Sequence, residues 1–248
     1  MTWSIVARDP ETGYFGISVA SRFFAVGVAI PHIRPGVGAV ATQAFVNPLY
    51  GTDGLKLLDA GISPEGVLSA LTARDSRSAG RQVHLIDAQG RNAAFTGKAC
   101  VDWAGHLISD GVSVAGNMLA GPGVIEDTLK TYQASMDLPL AERLLAAMDA
   151  GEAAGGDKRG RQSAALVVWR DQDYPWLDIR TDDHADPLAE LRRLYAVAQE
   201  RYLLVVDNMP TRENPHGMTD QDEFLRKIAA LEAERKAAGH LTASHGDF

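Results

Sequence analysis

Thr2 stands directly behind Met1 and opens a β-prone run, Trp3 to Asp9. A small second residue permits removal of the initiator methionine. The product would carry a hydroxyl nucleophile and a free α-amine on one residue. With a pKa of about 7.7 to 8.0, that amine is partly neutral at cellular pH and can take the hydroxyl proton. One residue then supplies nucleophile and base, the threonine variant of triad chemistry. Retention of Met1 would block the amine. Threonine is also an ordinary β-branched residue at a strand start, so Thr2 alone leaves a structural role equally open.

Other chemistries find less support. Cys100 is the single cysteine, which rules out an internal disulfide and a cysteine-based structural zinc site. Cys100 leads into Val101-Asp102-Trp103 and reads as a buried structural thiol. His32, His84, His106 and His184 show no H-x-H or H-E-x-x-H spacing, so they read as ordinary hydrogen-bonding residues and no metal is expected. The loop Gly151 to Gly160 lacks the phosphate-loop spacing, and no G-x-S-x-G elbow is present. No cofactor is expected.

The chain has 248 residues, 46% hydrophobic and 23% charged, enough to bury a full core. A formal charge of -8 with no clustered Lys and Arg argues against a nucleic-acid partner. No apolar run approaches the roughly 18 residues needed to cross a bilayer, and the start lacks a basic or apolar leader, so a cytoplasmic protein without a membrane partner is expected.

The elements that must position these residues follow from pattern. Trp3 to Asp9 and Tyr14 to Ser21 flank Pro10-Glu11-Thr12-Gly13 as a hairpin, and Val26 to Ile30 and Val37 to Phe45 read as two further strands. Helices are predicted over Thr52 to Ala60 and Pro64 to Ala73, with Ser63 as cap. Strands return at Gln82 to Asp87 and Asn92 to Thr96, then at Cys100 to His106 and Val112 to Gly116. Two helices, Val124 to Ser135 and Leu140 to Ala150, precede a continuous apolar strand from Ser163 to Arg170. A helix runs from Pro187 to about Tyr202, and a charged one from Thr219 to Ala238 lies beyond the linker Asp207 to Gly217. Hairpins in place of regular βαβ alternation predict an α+β fold of two stacked antiparallel sheets covered by helices. Residues 1–206 form the expected main domain and 207–248 a linker with a helical extension.

Five segments carry a resemblance: Thr2 to Asp9, Gly16 to Gly27, Gly38 to Gln43, Gly116 to Leu119, and Gly156 to Ser163. They resemble the bacterial family called domain of unknown function 1028, over about Met1 to Leu194. That family is placed among the N-terminal-nucleophile hydrolases. The resemblance therefore implies a four-layer α/β/β/α sandwich and hydrolysis of an amide bond in a small peptide or amino-acid derivative. Proteasome-type members place an Asp after the second strand and a Lys on the next, whereas this chain has Ser21-Arg22 there and its first lysine is Lys56. Isoaspartyl-peptidase-like members place hydroxyls near the second strand, a part that Ser21 would take. The same fold would bring Asn117 toward the first strand as an oxyanion donor or a turn residue. Asp157 and Ser163 would orient the α-amine, and Arg161 beside Arg159 would meet a substrate carboxylate or sit in a solvated basic turn. Arg22, Thr42, Gln43, Asn47 and Tyr50 complete the binding candidates at a pocket mouth. A non-catalytic binding or assembly protein on the same fold is the alternative. A homodimer is the expected assembly, being the commonest symmetric form.

Overall fold

Hairpins dominate the chain, and the computed structural model, which describes residues 2–241, gathers them into two antiparallel sheets. Met1, on whose removal the N-terminal chemistry depends, lies outside the described residues. The first sheet contains β1 (Thr2–Arg8), β2 (Phe15–Ser21), β7 (Gly105–Ser109), β8 (Val112–Asn117), β9 (Ser163–Trp169) and β10 (Pro175–Thr181). Their order is β10-β9-β2-β1-β8-β7. The second sheet contains β3 (Pro31–Arg34), β4 (Gly38–Ala44), β5 (Arg81–Asp87) and β6 (Asn92–Thr96), in that order.

Asp9 shapes the first hairpin. Its carboxylate accepts from the backbone N–H groups of Glu11 at 3.1 Å and Thr12 at 2.9 Å, a local turn that competes with further strand. Its other oxygen accepts from Arg143 at 3.1 Å, tying the hairpin to a helix.

Strand alternation assigns the two faces of the first sheet. Val6, Phe15, Ile17, Val19 and Ala165 pack with Ala39, Ala41 and Ile86 of the second sheet to form the core between the sheets. Burying each of the larger of these side chains stabilises the fold by ~1.5–3 kcal/mol. Trp3 points the other way, toward helix α5 (Leu140–Ala153), where a Cβ on Gly151 would come within 2.9 Å of its indole nitrogen. Gly16 likewise admits Leu144 of α5 to the sheet surface. Helix α4 (Gly123–Ala134) lies beside α5 on that face. The second sheet turns Val40, Val83 and Leu85 toward helices α2 (Leu49–Asp59) and α3 (Pro64–Ala73). Ser63 caps α3 by accepting from Gly66 N at 3.3 Å, with Pro64 at the first turn.

Three segments differ from the sequence expectation. Val26–Ala29 is a single turn of helix, α1, and the strand begins only at Pro31. The β-branched residues favour a strand, but Gly27 lies close against Ala165 and Arg180 of the neighbouring strands, an approach that packing dictates. The segment from Cys100 to Ala104 pairs instead through single backbone bonds, Met118 N to Val101 O at 2.8 Å and Leu119 N to Trp103 O at 3.0 Å, so β7 begins at Gly105. Cys100 is half-buried there. The edge strand β10 has no counterpart in the sequence reading.

The chain divides into two compact units, one ending at Leu188 and one starting at Ala189. The second holds most of α6 (Pro187–Val197), a π-helical turn at Ala198–Tyr202, α7 (Leu203–Val206) and α8 (Gln221–Ala237). Asp220 caps α8 by accepting from Glu223 N at 2.8 Å. No helix among the described residues is long and apolar enough to cross a membrane.

Candidate functional site

Four of the residues singled out in the sequence stand in one row across adjacent strand ends. Ser21 pairs with Ser163 between β2 and β9, and Thr2 pairs with Asn117 between β1 and β8. The row closes between β1 and β2, where Thr2 Oγ1 donates to Ser21 Oγ at 3.1 Å. Two-residue alternation puts Thr2 on the face of Ser4 and Val6, and Ser21 on the face of Val19, so the row looks into the space between the sheets. Thr2 is 7% exposed.

Behind the row lies a buried polar network. Ser4 Oγ donates to Gln43 Oε1 at 2.7 Å and lies 2.8 Å from His84 Nε2. On its other side the ring meets Ser113, with Nδ1 3.0 Å from Ser113 Oγ, so His84 bridges two strands through both ring nitrogens. Burial, with the His106 charge second, drives His84 down to about 3, so the ring is neutral. Gln43 Nε2 donates to Gln82 Oε1 at 2.8 Å and reaches Thr2 O at 3.4 Å. Gln82 Nε2 in turn reaches Gly116 O at 2.8 Å and Gly105 O at 3.0 Å. Gln43 Nε2 also donates to Ala115 O at 3.1 Å, so its two hydrogens are best matched by Gln82 and Ala115, with Thr2 O the most distant of its three neighbours.

Asn117 belongs to the same network. Its amide nitrogen donates to Thr2 O at 3.3 Å and to Gln82 Oε1 at 3.0 Å. Both amide hydrogens are directed at these acceptors, so in this structure Asn117 orders the Thr2 backbone.

Asp157 and Ser163 act on the loop that leaves β2. Asp157 accepts from Arg22 N at 2.7 Å and from Arg159 N at 2.8 Å, and is buried. Ser163 Oγ accepts from Val26 N at 3.1 Å and donates to Phe23 O. The Arg22 guanidinium meets the Arg159 carbonyl. These contacts fix residues 22–26.

The six binding candidates do not converge on one mouth. Arg22 and Arg161 line a cavity of about 300 Å³ with Asp183 and His184. Arg161 is already paired with Glu152 and, at 3.0 Å, with Asp186, which weakens the case for a substrate carboxylate there. Asn47 and Tyr50 line a separate cavity of about 420 Å³ over α2 and α3. Tyr50 donates to Asp75 at 3.0 Å, and burial followed by that contact pushes its hydroxyl up to about 12. Thr42 donates to Asn47 O at 3.1 Å, and Asn47 Oδ1 accepts from Leu49 N at 3.2 Å. Thr42 and Gln43 are buried.

Two further features frame the row. Ala25, Ala44 and Met118 adopt left-handed φ of 51°, 67° and 54°. Each follows a site segment, Ala44 directly after Gln43 and Met118 directly after Asn117, and left-handed non-glycine residues concentrate where a function fixes the backbone. The loops leaving these strand ends expose large apolar side chains: Phe23, Phe24, Phe45, Val46 and Leu49, with Val101 beside Met118. These six apolar side chains belong to segments that leave strand ends of the site, and the Phe45 ring lies under the Arg77 guanidinium at 4.7 Å. Sequence reasoning missed Ser4, Gln82 and Ser113 and gave His84 no site role. The available signal was polar residues set singly between apolar ones, as Ser4, His84 and Ser113 are; Gln82, next to Arg81, lacked it.

The model of a family of unknown function, DUF1028, matches residues 2–191. The crystal structure of protein SPO2555 from Silicibacter pomeroyi, assigned to the same family model, is similar with 33% identity and a TM-score of 0.83, covering 89% of this chain and 96% of that one. Anbu, an ancestral beta-subunit from Yersinia bercovieri, shares 12% identity with a TM-score of 0.41, over 79% of this chain and 94% of its own. A comparison with curated proteins gave no match.

Proposed function

We propose, for a chain that belongs to the family of unknown function DUF1028, an N-terminal-nucleophile amidohydrolase built as a four-layer α/β/β/α sandwich. Helices α4 and α5 on one sheet and α2 and α3 on the other support that layering. The observation that carries the function is the Thr2 hydroxyl aimed at Ser21 while Asn117 donates to the Thr2 carbonyl.

Loss of Met1 would free the Thr2 α-amine. The Thr2 oxygen attacks the amide carbon, and the hydroxyl proton passes to the α-amine. Collapse of the tetrahedral intermediate breaks the C–N bond, and the ammonium returns its proton to the leaving amine. The resulting ester is cleaved by water, with the same amine as base. Ser21 orients the hydroxyl, and the buried network fixes the backbone to which the amine belongs. The exposed apolar side chains near these strand ends favour a short peptide or amino-acid derivative with an apolar side chain.

Two measurements test this: the intact mass of the purified protein, and its acylation by a β-lactone, an electrophile that captures activated hydroxyls. Loss of Met1 with one label on Thr2, absent in Thr2→Ala, is the expected result. A chain that keeps Met1 and takes no label would instead be a binding or assembly protein on this fold.

A further inference from the structure

At the far end of β1, six residues from Thr2 and hence roughly 20 Å away at about 3.3 Å per residue, Arg8 lines a cavity of about 450 Å³. That volume is within the range of small-molecule sites. The Arg8 Nε is buried and has no hydrogen-bond partner. That nitrogen faces protein, so a ligand in the cavity would meet the terminal nitrogens of the guanidinium, where a charge-assisted contact to a carboxylate is strong. Gly13 leaves room for the guanidinium on the other side. Its φ of +76° suits glycine, and a Cβ there would come within 3.1 Å of Arg8 Nη2.

The walls define the ligand. Tyr132 and the exposed Met136 supply apolar surface, with Gln133 beside them. Arg91 adds a second guanidinium, but its Nε is paired with Asp87 at 2.7 Å. Asp110 also lines the cavity and repels a multiply charged anion. One unpaired cation, one acidic neighbour and apolar walls select a single negative charge on an apolar body. We infer that this cavity is a binding site for a small organic monocarboxylate, held by Arg8 and packed on Tyr132 and Met136, separate from the Thr2 end of the sheets.

Calorimetric titration with phenylacetate tests it on the full chain. Saturable one-to-one binding is expected, with Arg8→Gln weakening it by about 10–100-fold, the measure of one charge-assisted contact. Gln133→Glu, at the cavity wall, should weaken binding comparably by like-charge repulsion. The neutral phenylacetamide should not bind, and Thr2→Ala should bind like the parent chain. No saturable binding, equal binding of the amide, or indifference to both Arg8→Gln and Gln133→Glu would overturn the site. Loss of binding in Thr2→Ala would move the ligand to the other end of the sheets. Because Thr2→Ala is read here by binding alone, failure of the hydrolase reading leaves this result intact.

Discussion

The hydroxyl of Thr2 donates across the β1–β2 ladder to Ser21 at 3.1 Å, so the side chain proposed as nucleophile is held by a neighbour on the adjacent strand. Hydroxyl orientation then depends on Ser21. Ser21→Ala should lower the rate of β-lactone acylation of Thr2 by about 10–100-fold, the scale of a misplaced reacting group. The fold should lose only ~1 kcal/mol for one removed hydrogen bond. Intact mass followed over time gives the rate and a urea melt gives the stability. An unchanged rate would remove Ser21 from the site.

Much of this row was legible because strand ends are legible. Ser21, Asn117 and Ser163 each close or open an apolar run, so pattern alone placed them at element boundaries, and the hairpin order brought those boundaries to one side. Partners across the sheets were not legible. Gln82 and His84 occupy alternate positions in β5, which is buried on both faces, and no local pattern reveals that Ser4 and Ser113 lie opposite. The short helix α1 was hidden for a similar reason: Val26 and Val28 carry strand propensity, while the close approach of Gly27 to Ala165 and Arg180 is a long-range contact. The edge strand β10, whose Asp178 and Arg180 break up the apolar residues, offered too weak an alternation to stand out.

The exposed apolar side chains near the strand ends predict selectivity by chain length. Phe23 and Phe24 are 61% and 62% exposed, so replacing either with Ser removes contact surface without opening the core. In Phe23→Ser and Phe24→Ser, acylation by a long-alkyl β-lactone should fall about 3–10-fold, while a short-alkyl analogue should react at the parental rate; each methylene in an apolar site contributes ~1 kcal/mol or more. Equal loss for both probes, or none for either, would show that Phe23 and Phe24 do not read the acyl chain.

Gln82 holds more of the network than any residue proposed for catalysis. Its two amide hydrogens are shared among Thr96 Oγ1 and the Gly105 and Gly116 carbonyls, and its oxygen accepts from Gln43 and Asn117. Gln82→Leu keeps the side-chain size but leaves these buried groups without partners. The expected cost is about 3–5 kcal/mol, lowering Tm by roughly 10 °C for a domain of this size. Calorimetry checks it, and a variant within a degree or so of the parent would mean that water replaces the side chain.

His84 should make the protein less stable in mild acid. Burial above all holds its folded pKa at about 3, well below the ordinary histidine value of 6.5. Above pH 6.5 the ring is neutral in both states and costs nothing. As pH falls through 6.5 toward 3, the unfolded chain binds a proton that the folded chain refuses, so stability declines by up to about 1.4 kcal/mol per pH unit from this group. His32 and His106 are also lowered by burial and act in the same direction, so the contribution of His84 is read by difference. His84→Gln keeps a donor and an acceptor between Ser4 and Ser113 and cannot titrate. Urea midpoints for the parent should fall more steeply between about pH 7.5 and about pH 4.5 than those of the variant. Parallel pH profiles would mean that His84 can reach its charged form inside the fold, between Ser4 and Ser113.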